Sequence, residues 1–96
     1  MERSMIVDKV IMIIKAVLGE TNIKDSFVFS EDVMLFQTGL EFSSIDGVMM
    51  VVKLEQEFGV EWPDELLTFN DVLTIGKVSD VMEKILAEKE TNKNDK

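Results

Sequence analysis

Residues 5–17 are almost continuously apolar, broken only by Asp8, Lys9 and Lys15, and Gly19 follows as a stop signal. The pattern predicts a helix from about Arg3 to Leu18. Its longest clean apolar run, residues 10–14, is far short of a membrane span, and no small-residue cleavage site follows. The segment therefore reads as a core helix of a cytoplasmic protein rather than as a leader or an anchor.

A long connection follows, over about residues 20–42. It carries Phe27, Phe29, Val33, Leu35, Phe36, Leu40 and Phe42. A loop with that many apolar side chains is expected to pack over the core, with a short helical turn near residues 31–36. A second helix is expected from Ser44 to Phe58. Ser43 and Asp46 form a capping box at its start, and Gly59 is a C-terminal breaker. Residues 61–63 should be extended, because the residue before Pro63 avoids helix. Thr68 and Asp71 form a second capping box, opening a short third helix that ends near Leu73. Thr74 can cap a fourth, in which Ile75, Val78, Val81, Met82, Ile85 and Leu86 recur at three- and four-residue steps. Three longer helices, one short one and no strand pattern make an all-α, four-helix bundle. The domain is expected over residues 1–88, with a frayed polar tail over 89–96.

The second helix has two apolar faces. At about 100° per residue, Met50, Val51, Leu54 and Phe58 share one face with Gly47 beside them. Ile45, Val48, Met49 and Val52 fall nearly opposite. Asp46, Lys53 and Glu57 mark one polar seam and Glu55 the other. A bundle helix needs one apolar stripe. Either the long loop covers the second, or part of it stays exposed as a docking patch. Met49 suits such a patch, since methionine is common on adaptable binding surfaces.

Composition narrows the chemistry. The 96 residues support one domain. Nineteen acidic against ten basic residues give a net charge of -9. Such a surface repels nucleic acid and anionic membranes, favours a monomer, and attracts partners with basic patches. The chain has no cysteine and no histidine. Disulfides, an intrinsic thiol nucleophile, Cys/His zinc sites and imidazole-based triads are thus excluded. No Asp/Glu spacing matches a calcium loop of the EF-hand kind. The expectation is a protein that is not an enzyme.

Residues 44–65 read SIDGVMMVVKLEQEFGVEWPDE. This string resembles the second helix and following turn of acyl carrier proteins: a modified serine, Ile/Leu-Asp, an apolar run, acidic residues, Phe-Gly and Pro-Asp-Glu. Phe36 and Leu40 upstream and Thr74-Ile75 downstream fall where that family has apolar anchors and a Thr-Val helix start. The resemblance implies a phosphopantetheine arm, taken from coenzyme A and joined to Ser44 by a phosphopantetheinyl transferase using magnesium. The arm would carry acyl or aminoacyl thioesters for fatty-acid, polyketide, nonribosomal-peptide or cell-envelope biosynthesis. Ser44 would sit where free N–H groups and the helix dipole favour an anionic phosphate, by roughly 0.3–1 kcal/mol. Ile45 and Asp46 would meet the transferase. With Val48, Met49, Val52 and Glu55 they would meet partner enzymes carrying basic and apolar patches.

The sequence departs from the family pattern at three places. Ser43 stands where Asp precedes the modified serine, Glu41 stands where Gly is common, and Met49 stands at an acidic position. The stretch between Pro63 and Thr74 is slightly longer than in fatty-acid carriers, closer to aminoacyl or D-alanyl carriers. Two further readings remain beside the carrier. Ser43 and Ser44 would only cap a helix, or the chain would be an interaction module without a prosthetic group. Trp62 would either plug the bundle or line an acyl cavity.

Overall fold

The computed structural model describes residues 1–19, 23, 26–36 and 39–94, and side chains as far as residue 89. Among these, the chain is all-helical: α1 (Arg3–Leu18), α2 (Ser44–Phe58) and α3 (Ile75–Asn94), with 3-10 turns at Asp64–Leu66 and Asn70–Val72. The helix ends follow their sequence signals. Gly59 takes the left-handed conformation that closes α2, with φ 63°. The Thr74 hydroxyl oxygen accepts the Lys77 N–H at 3.1 Å and so caps α3.

Each helix turns one stripe inward. α1 buries Ile6, Val10, Ile13 and Ile14, and α2 buries Met50, Leu54 and Phe58. From α3 come Ile75, Val78, Val81, Met82 and Ile85, and Leu35, Phe42 and Trp62 complete the core. The buried Ser79 donates its hydroxyl to the Ile75 carbonyl at 2.8 Å, and among the described residues no buried side-chain nitrogen or oxygen lacks a hydrogen-bond partner.

The described residues 29–36 and 40–42 of the long connection pack on the core, as their apolar content predicts, but residues 31–36 do not form the expected helical turn. They run alongside the start of α3 instead. The Leu35 N–H donates to the Leu73 carbonyl at 3.0 Å, Ile75 to Val33 at 3.1 Å and Gly76 to Glu31 at 2.8 Å. Met34 and Thr74 form an isolated antiparallel bridge. This clip places Leu35 in the core, fully buried. It also explains why the expected short third helix shrinks to one 3-10 turn. The Leu73 carbonyl is committed to the clip, and Thr74 already caps α3, so no room remains for a longer helix. The Thr68/Asp71 capping box is nevertheless present, with backbone bonds of 3.2 and 3.1 Å.

Arg3 reinforces the same junction. Its guanidinium reaches Glu31 in the loop, Asp80 (2.8 Å) and Glu83 on α3, and the Gly76 carbonyl (3.1 Å). Its pKa is raised above the ordinary arginine value, chiefly by the hydrogen bond to Glu31, with Asp80 and Glu83 adding and burial opposing. A cation whose pKa rises on folding stabilises the fold at every pH below its unfolded value. For arginine that covers all working conditions, so this cation does not titrate.

The expected polar tail is helical through residue 94, with residues 95–96 outside the described set. Glu and Lys are good helix formers, and Lys89 has a specific role. Its Nζ donates to the Gly59 carbonyl at 2.8 Å, satisfying an acceptor beyond the end of α2.

Gly39 closes the loop against itself. A Cβ there would lie 1.7 Å from the Met34 carbonyl oxygen, the same oxygen that accepts the Leu40 N–H at 2.8 Å. Gly39→Ala is expected to cost at least about 2 kcal/mol by breaking this closure. A urea unfolding curve checks this: the midpoint falls markedly, and an unchanged midpoint contradicts the packing described.

Candidate functional site

The N-terminus of α2 is fixed by a reciprocal pair. The Ser43 hydroxyl accepts the Asp46 N–H at 3.2 Å, and the Asp46 carboxylate accepts the Ser43 N–H at 2.9 Å. Ser43 is therefore the cap and Ser44 the first helical residue, as the sequence predicts. Ser44 is exposed. Among the described residues, its hydroxyl makes no hydrogen bond, and no acceptor meets the backbone N–H groups of Ser44 and Ile45. The positive end of the helix dipole thus lies open beside an uncommitted hydroxyl.

Ser44 also lines an apolar groove of about 400 Å³, together with Gly47, Val48, Val51 and Val52 on one wall and Phe36, Trp62, Leu67 and Val72 opposite. Gly47 lets the loop approach. A Cβ there would come within 3.1 Å of the Phe36 ring. Phe36 in turn meets Phe42 edge-on, with centroids 5.9 Å apart, and Phe69 at 5.5 Å. Trp62 is only 5 % exposed, and its ring N–H donates to the Leu66 carbonyl at 2.9 Å. Trp62 fills the bundle, and it also lines the groove.

The second apolar face of α2 is open. Ile45 is 71 % and Val48 63 % exposed, and Met49 and Val52 are also exposed. Among the described residues, the long loop does not cover it. Leu67 and Phe69, on the turns across the groove, extend the apolar surface. Neither was expected from sequence, because Phe69 sits inside a capping box and Leu67 has no periodic partner.

Of the expected site residues, Ser44, Ile45, Val48, Met49 and Val52 gather around the first turns of α2. Asp46 is engaged in the cap. Glu55, expected to meet partners, is half-buried and also serves the fold. Its carboxylate accepts the Trp62 N–H at 2.8 Å and is held in the groove wall. That bond satisfies the buried residue just before Pro63, where no helix is available to do so.

Glu41 has φ 56°, in the left-handed region that a glycine occupies at little cost. Among the described residues, no cluster of three or more carboxylates could hold a metal ion. No helix there is long and apolar enough to cross a membrane. Family models, curated proteins and solved structures were all compared with the chain, and none matches.

The two serines separate structure from chemistry. Ser43→Ala is expected to lose about 1 kcal/mol through the cap, and Ser44→Ala less than about 0.5 kcal/mol. Thermal unfolding of both variants checks this. Equal losses would contradict the division of roles between the neighbours.

Proposed function

We propose that this protein is a carrier, with a fold of the acyl-carrier kind, that bears a phosphopantetheine arm on Ser44. The observation that carries the reading is the exposed, uncommitted Ser44 hydroxyl at the open N-terminus of α2, beside an apolar groove and an apolar helix face. The residues fit the group. An anionic phosphodiester at Ser44 would lie against the unpaired N–H groups of the first turn. When bound, phosphopantetheine supplies the thiol that this cysteine-free chain lacks, so that acyl or aminoacyl groups can be held as thioesters.

The chain's own residues position and present. Ser43 and Asp46 hold the first turn rigid, so the reacting hydroxyl does not have to serve as the cap. Ile45, Val48, Met49 and Val52 offer an apolar docking surface to the transferase and to partner enzymes. The net charge of -9 draws partners with basic patches. The groove behind Ser44 offers shelter to an apolar cargo. Catalysis would belong to the partners, and the protein would work in the cytoplasm as a monomer.

A second reading keeps the docking surface and dispenses with the arm, making the chain an interaction module. Its support is the size of the apolar face, which continues across the groove to Leu67 and Phe69.

Intact mass after incubation with coenzyme A, magnesium and a broad-specificity phosphopantetheinyl transferase separates the two. The wild-type chain and Ser43→Ala are expected to gain one phosphopantetheine, and Ser44→Ala none. An unchanged wild-type mass with several such transferases would favour the interaction module.

A further inference from the structure

Glu41 is the only non-glycine residue with positive φ among the described residues. For a side chain with a Cβ this conformation is unfavourable, and chains usually assign it to Gly, Asn or Asp. The neighbours impose the bend. Phe42 is buried and its N–H donates to the Leu35 carbonyl at 2.8 Å, the Leu40 N–H is tied to Met34, and α2 begins three residues after Glu41. They do not require a glutamate. Its side chain is exposed, and among the described residues no hydrogen bond or ion pair engages its carboxylate. A glycine would make the same bend without strain, so the fold draws no benefit from the residue present.

Strain without a structural return points to a role outside the fold. The carboxylate stands three residues before Ser44, on the approach to the exposed face begun by Ile45. It belongs to a chain whose charge selects cationic partners. The capping residue Ser43 brings no charge to this spot, and the Asp46 carboxylate is turned back onto the Ser43 N–H. Glu41 is therefore the acidic group ahead of Ser44 that is free to meet a partner. We infer that Glu41 is a specificity-determining contact, meeting a basic side chain of the enzyme that loads Ser44. The inference rests on the carrier reading and adds a residue to it.

Two substitutions separate charge from strain. Glu41→Gln keeps the Cβ and the size and removes the charge, while Glu41→Gly removes both charge and strain. Loading of the full chain by a broad-specificity transferase is followed by intact mass at varied carrier concentration. Both variants are expected to raise the KM for the carrier by roughly two- to fivefold, with kcat unchanged. That difference should shrink at about 0.5 M salt. The melting temperature should be unchanged for Glu41→Gln and no lower than wild type for Glu41→Gly. A wild-type KM in Glu41→Gln overturns the inference while leaving the carrier reading intact. A lowered melting temperature in either variant also overturns it, because the carboxylate would then serve the fold. A wild-type chain that gains no mass overturns the carrier reading and this inference together.

Discussion

The reciprocal bonds between Ser43 and Asp46 decide which residue begins α2, and much else follows from that choice. With the cap at Ser43, the next hydroxyl falls at the first helical position, in solvent and unused. A start one residue later would make Ser44 the cap and consume the hydroxyl. The same register sends Met50, Leu54 and Phe58 into the core, Gly47 under Phe36, and Ile45, Val48, Met49 and Val52 outward. A helix with two apolar faces has no single orientation fixed by hydrophobicity alone. The cap and the glycine contact make the selection.

The second constraint is the backbone clip between residues 31–35 and 73–76. It turns a long connection into a wall of the molecule, carries Leu35 into the core, and lets Phe36 approach α2. Arg3 ties α1 to the same junction through three carboxylates. The groove beside Ser44 exists because the clip and α2 meet with a glycine between them. Fold and candidate site thus share the same supports.

Much of this was legible in the sequence because it is local. Capping boxes, glycine stops and helical periodicity act within a few residues, and the bounds of α1 and α2 follow from them. What was not legible depends on distant partners. The pairing of Leu35 with Leu73 has no strand-like pattern to announce it, so residues 31–36 suggested a helical turn. The polar stretch after residue 88 lacks apolar anchors, yet Lys89 finds the carbonyl of Gly59 and the helix continues. The structural bond made by Glu55, a seam residue of α2, is likewise absent from the local pattern. Only the path of residues 59–62 brings the Trp62 N–H within its reach. The left-handed backbone at Glu41 was hidden for the opposite reason: the residue there is one that usually signals a different conformation.

The carrier role turns on one oxygen, and the protein as its own cells make it gives the most direct test. Peptide sequencing by tandem mass spectrometry of the natively expressed chain locates any covalent group within the segment holding Ser26, Ser30, Ser43 and Ser44. Phosphopantetheine is expected on Ser44 alone. A native chain that carries the group on Ser43, or carries none while a transferase is present in those cells, would contradict it.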